Sequence, residues 1–196
     1  MRARAVAWRL VATGVLVSAA CGTSPHVSFH TLSVAAGPHQ RPSPAIKSVQ
    51  VAAVHLPRSL DRRELVTQTG AHDVDISDRD RWSAPLAEMV RRTLSQDLQS
   101  RLPDGAVVMP DMPTTPDTAQ IVVSLLQFEP TTSGTAVLVG SWSVSEGNDS
   151  GKVLARHDVS FDRPLVGSDA DAAASAMSEL VGQLATDIVK NLPVAH

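Results

Sequence analysis

Between Ser83 and Pro103 the chain reads SAPLAEMVRRTLSQDLQSRLP, where Leu86, Val90, Leu94, Leu98 and Leu102 recur at every fourth residue with Met89 beside them. An α-helix brings such residues onto one stripe, and a stripe of that kind must be covered by another element. Arg91, Arg92, Gln96 and Gln99 take the other faces. Ser83 is the expected N-cap, Pro85 suits the first turn and Pro103 stops the helix. A second pattern closes the chain: in SDADAAASAMSELVGQLATDIVKNLP the stripe is Met177, Leu180, Val181, Leu184, Ile188 and Leu192. Ser168 and Asp171 have capping-box spacing, Asp169 adds negative charge to the first turn, Lys190 suits the last turn and Pro193 ends it.

The remaining apolar segments supply a sheet. IKSVQVAAVHL, Ile46 to Leu56, and AQIVVSLLQF, Ala119 to Phe128, are apolar on both parities, the pattern of strands covered on both faces. TAVLVGSWSV puts Ala136, Leu138, Trp142 and Val144 on one side. KVLARHDVSF puts Val153, Ala155, Val159 and Phe161 inward and Arg156, Asp158 and Ser160 outward. Short turn-rich connections make Ala119–Phe128 and the two strands after it an antiparallel meander. Two short strands are expected around Gly70, Leu65 to Thr69 and His72 to Ser77, and a short edge strand within VSFHTLSV. The expected fold is α+β: one largely antiparallel sheet of about five strands with both long helices packed on one face.

The first twenty residues belong to a different kind of pattern. Arg2, Arg4 and Arg9 precede an uncharged, mostly apolar run from Leu10 to Ala20, as in a secretory signal. That run is about half the roughly 20 residues a bilayer-spanning helix needs. The only cysteine, Cys21, follows directly. Ser18, Ala19, Ala20, Cys21 and Gly22 resemble a bacterial lipobox, with Ser18 where leucine is usual and Leu16 two residues upstream. The lipobox implies that the Cys21 thiol is acylated and becomes the new N-terminus. Gly22 rather than aspartate implies sorting to the outer membrane, by similarity to Gram-negative lipoproteins. Pro25, Pro38, Pro42 and Pro44 among small polar residues give 21–45 the composition of a tether with an edge strand inside it. The expected organisation is a signal peptide over 1–20, the lipidated cysteine and tether over 21–45, and one globular domain over 46–196.

At 196 residues the chain fits one such domain, and a single cysteine permits no internal disulfide. A net charge of −3 argues against nucleic acid, which is normally held by a basic stripe. Chemistry-bearing motifs are missing from the sequence. DVDISDRD, Asp73 to Asp80, alternates acids, but its sixth and twelfth positions hold Asp78 and Ala84 where a calcium loop needs glycine and glutamate. A strand with a solvated edge is the expectation there. The histidines, among them His55, His72 and His157, show no HExxH pattern; no G-x-S-x-G elbow, Walker loop or G-x-G-x-x-G turn occurs. Asn148 to Ser150 match a glycosylation sequon and read as a turn. No catalytic residue, metal or cofactor is expected.

Two stretches resist a purely generic reading. In VHLPRSLDRRELV, Leu56 and Pro57 leave a strand, Leu60 is apolar within a loop, and Asp61 with Arg62 can fix that loop by a charge-assisted hydrogen bond. In DRWSAPL, Trp82 can staple the start of the helix to the core. Loop fixation and a partner-facing role both remain open for these residues.

Together they resemble the PqiC/YmbA family of ABC-type transport auxiliary lipoproteins. In that family a strand ends in a leucine-proline pair, a leucine-aspartate-arginine loop follows, and a tryptophan and a proline-leucine pair open the first helix. Here those are Leu56, Pro57, Leu60, Asp61, Arg62, Trp82, Pro85 and Leu86. Phe29, Thr31 and Leu32 are similar to the family's early aromatic and threonine-leucine strand, with His30 in place of a more usual aromatic. The resemblance runs from the lipobox to Pro103; beyond it the order of strands and the final helix agree. It implies a non-catalytic lipoprotein at the periplasmic face of the outer membrane, serving as an auxiliary or docking part beside an MCE-domain protein that conducts lipid between membranes. A ring-like homo-oligomer is compatible with it. Two alternatives stand against this reading: a domain that itself carries lipid between sheet and helices, and an envelope enzyme or synthase activator.

Overall fold

The stripe beginning at Leu86 forms helix α1, Leu86–Gln99, and that beginning at Met177 lies on helix α2, Ala170–Asn191. In chain order the strands are β1 (Ser28–His30), β2 (Ser48–His55), β3 (Glu64–Gln68), β4 (Val74–Trp82), then after α1 β5 (Thr118–Pro130), β6 (Thr135–Ser145) and β7 (Val153–Pro164). The computed structural model describes residues 26–35, 37–38, 46–148 and 150–193. Cys21, the signal-like run and most of the proline-rich segment lie outside the described residues.

The expectation of one largely antiparallel sheet of about five strands is corrected. Among the described residues seven strands form two mixed sheets, β1-β4-β3 and β2-β5-β6-β7. The meander β5-β6-β7 is antiparallel as expected; β3 and β4, the two strands around Gly70, also pair antiparallel. The pairs β1–β4 and β2–β5 are parallel. Each parallel pair joins segments about fifty or more residues apart, a relation that local alternation does not encode.

Both helices lie on one face of the four-stranded sheet, α1 beside β2 and α2 across β5, β6 and β7. The layer between is filled by Val49, Val51, Ile121, Phe128, Leu138 and Trp142 from the sheet and Leu94, Leu98, Leu180 and Leu184 from the helices, all buried. Each such side chain contributes about 1.5–3 kcal/mol of transfer free energy, so this layer is the main source of stability. Trp142 also donates from Nε1 to Asp187 Oδ2 on α2 at 2.8 Å and stacks on His157, with ring centroids 4.7 Å apart.

β-bulges explain why β2 and β5 are apolar on both parities. In β2 the register slips at Ala52, so Val49 and Val51 face inward before it and Val54 after it. In β5 it slips at Leu126, moving the buried set from Ile121, Val123 and Leu125 to Phe128. Neither strand is covered on both faces. In β7 the slip is at Leu154, and Val153, expected inward, is 52% exposed.

After β1 the chain runs as a strap over the helix pair. Ser33 N donates to Ser178 Oγ on α2 (3.0 Å), and Ala35 N donates to Asp97 Oδ1 on α1 (2.8 Å). Arg101 Nη2 returns a bond to the Ala35 carbonyl (2.7 Å). Gly182 makes this approach feasible: a Cβ there would come within 2.6 Å of the Ala35 methyl.

Candidate functional site

The residues marked by the two unusual stretches meet at one corner, where the loop after β2 abuts the start of α1. The loop is a single helical turn: Leu60 N and Asp61 N both donate to the Pro57 carbonyl, at 2.9 and 3.0 Å. Leu60 is buried, Leu56 and Pro57 are partly buried, and Asp61 is exposed. Asp61 Oδ1 accepts from Ala87 N at 3.3 Å. The carboxylate thus meets an orphan amide in the first turn of α1, where negative charge also suits the helix dipole.

That contact replaces two expectations. Ser83 is not the N-cap of α1: Pro85 occupies that position, has no side-chain acceptor to offer, and leaves the amide to Asp61 from another segment. Nor does Asp61 pair with Arg62, because each takes another partner. Arg62 Nε instead donates to Glu64 Oε2 at 2.9 Å, holding the Glu64 carboxyl below its usual value.

Trp82 closes β4, is 2% exposed and belongs to the main core, as does Leu86. Its backbone N–H donates to the Arg63 carbonyl at 2.6 Å, linking the loop's exit to the strand that leads into α1. Pro85 remains exposed. The eight motif residues are therefore brought together, with Leu60, Trp82 and Leu86 inside and Asp61 and Pro85 on the surface beside exposed Arg58, Ser59 and Arg63.

A second polar junction lies behind the corner, and sequence reasoning missed it. The His30 side chain is nearly buried, with Nε2 3.1 Å from Asp80 Oδ1 and Nδ1 3.0 Å from Asp171 Oδ1. Ser77 Oγ donates to Asp80 Oδ2 at 2.8 Å. Burial pushes the Asp80 carboxyl upward, but the bonds from His30 and Ser77 outweigh it and hold the group below its ordinary value. β1, β4 and the first turn of α2 are thereby tied at one imidazole. The helix begins with Asp169 as N-cap, accepting from Ala172 N at 2.8 Å, so the Ser168–Asp171 capping box is not formed. Asp171 is diverted to His30.

At the other end of the helix pair, Asp97 and Arg101 form a buried ion pair, 3.4 Å apart and 0% and 3% exposed. Arg101 also donates to Thr186 Oγ1 on α2 and to the Asp97 carbonyl. Asp97 Oδ2 has no partner among the described residues, and burial pushes its carboxyl up to about 6. The i, i+4 spacing of the two residues was visible in the sequence, but not that the strap at Ala35 would cover them.

With this geometry in view, comparison with known proteins gives three results. The sequence pattern of the family described as "ABC-type transport auxiliary lipoprotein component" matches residues 30–189. No curated protein matches the chain. Two solved crystal structures share its fold. One is of an uncharacterized protein, with TM-score 0.72 and 20% identity, covering 86% of this chain and 99% of that one. The other is of a Xanthomonas campestris protein assigned to the DUF330 family, with TM-score 0.69 and 15% identity, covering 83% of this chain and 93% of that one.

Proposed function

The chain belongs to the family of ABC-type transport auxiliary lipoprotein components, and on that premise we propose that it is a non-catalytic docking part of a lipid transporter, fixed to the outer membrane through Cys21. Membership assigns it an auxiliary role beside a transporter in the cell envelope. The finer reading is that the partner is an MCE-domain protein spanning the periplasm, and that the domain receives its outer end. The signal-like run, the lipobox-like Ser18–Gly22 and the absence of any membrane-crossing helix among the described residues are consistent with a lipid anchor.

The observation that carries the docking role is the family match, which runs from His30 in β1 to Val189 in α2 and so embraces the corner at α1. There the buried members Leu60, Trp82 and Leu86 make a rigid base. The exposed ones, Asp61 and Pro85, with Arg58 and Arg63, are offered as the partner-facing surface. A carrier role for the domain is disfavoured because the space between sheet and helices is occupied by Trp142, Phe128, Leu94 and Leu184. A ring of several copies is compatible with this reading.

Affinity capture of the acylated protein from its native envelope tests the proposal. Recovery of an MCE-domain protein, reduced by the pair Arg58→Glu and Arg63→Glu, is the expected result. Capture that preserves other envelope complexes but returns no MCE-domain protein rejects it.

A further inference from the structure

The three-stranded sheet has an inner face, which carries His30, Leu65 and Trp82 toward the core, and an outer one. Register places Phe29 beside Arg81, Arg81 beside Glu64, and, past a bulge at Ser77–Asp80, Ile76 beside Val66 and Val74 beside Gln68. Since paired residues share a face and alternate ones return to it, Phe29, Arg81, Ile76 and Val74 all belong to the outer face. Phe29 is 61% exposed, Val74 56% and Ile76 39%. Phe29 stands at one end of this face, beside Arg81, and Ile76 and Val74 stand toward the other, so apolar side chains are exposed along the length of one short sheet.

What covers that surface follows from where the chain emerges. Cys21 precedes Phe29 by eight residues, which at full extension span at most about 28 Å. A domain of roughly 150 residues has a radius of gyration near 15 Å, hence a diameter of about 40 Å. The leash is therefore shorter than the body it holds, and β1, at the outer edge of its sheet, is the part held nearest the bilayer. Arg79, exposed, and Arg81, half-buried, lie in the same strand end. Guanidinium groups so placed suit lipid phosphates. The acids nearby are Glu64, engaged by Arg62, Asp80, engaged by His30 and Ser77, and Asp73, Asp75 and Asp78.

We propose that the outer face of the β1-β4-β3 sheet is a membrane-contact surface, with Phe29, Val74 and Ile76 entering the interfacial zone of the bilayer that holds the Cys21 acyl chains. The inference rests on the anchoring proposed above and deepens it: the anchor fixes orientation as well as location, turning the sheet toward lipid.

The test uses the full acylated chain. Acylation consumes the only native thiol, so Phe29→Cys, Ile76→Cys and Arg156→Cys each carry one free thiol for a bimane label. Arg156 is exposed on β7, at the edge of the other sheet, and serves as the reference. In phosphatidylethanolamine–phosphatidylglycerol vesicles with brominated acyl chains, emission at 29 and 76 falls about twofold relative to unbrominated vesicles, while that at 156 is unchanged. Equal emission at all three sites, in protein whose intact mass includes the acyl chains, overturns the contact surface and leaves the anchor standing. A mass without acyl chains overturns the anchor itself. Labels at 29 and 76 shielded from both bromolipid and aqueous iodide mean that another protein copy covers the face, which also overturns the proposal.

Discussion

Asp61 and Asp97 show how a carboxylate's value depends on what faces it. Asp61 is exposed and serves one amide of α1. Asp61→Ala should lower stability by about 0.5–1 kcal/mol, and Asp61→Asn by much less, as read from urea midpoints. Asp97 is buried with one oxygen unpartnered among the described residues, and its carboxyl stands at about 6 against an ordinary 3.8. The folded chain therefore binds this proton more tightly than the unfolded one. The group's stabilisation is complete below about 3.8 and is lost as pH rises through about 6, a swing on the order of 3 kcal/mol. Asp97→Asn should flatten the fall in urea midpoint between pH 4 and pH 7; an unchanged slope excludes Asp97 as its source. Glu129, also held high by burial, leaves a residual slope of the same sign. The sequence displayed both aspartates without this distinction, because burial of Asp97 depends on a strap more than sixty residues away.

At the level of elements, helices were more legible than strands. A stripe at every fourth residue has one structural solution, so α1 and α2 and their apolar stripes followed directly, whereas strict alternation fails at the four bulges. The clearest bulge is at Leu126, where β5 swings against β6 and Gly140 is drawn under it. A Cβ at Gly140 would overlap the Ser124 carbonyl oxygen. Gly140→Ala should cost about 1–3 kcal/mol and Gly140→Val more, seen as lost soluble yield and an earlier urea transition. Caps were misread for a related reason: Ser83 and Ser168 had the right chemistry at about the right position. The acceptors actually used are Asp61, from a different loop, and Asp169, one residue on.

For the molecule as a whole, layer composition and the β5-β6-β7 meander were legible, and the rest of the sheet topology was not. Apolar segments announce that a sheet lies under two helices, but the division into two sheets depends on parallel pairing between distant segments. The corner was foreseeable as a place, since Leu60, Trp82 and Leu86 are apolar where a loop or a helix start would be polar. Its long-range ties, Asp61 to Ala87 and His30 to Asp80 and Asp171, were not. The strap over the helices carries a mechanical consequence. Were the chain held through Cys21 as proposed, tension reaching residue 26 along the axis of β1 would load its three rungs with β4 in shear. Behind them the Arg101 and Asp97 grip on Ala35 would take up the load next. A tug in that direction would reach the helix pair instead of peeling the sheet apart strand by strand.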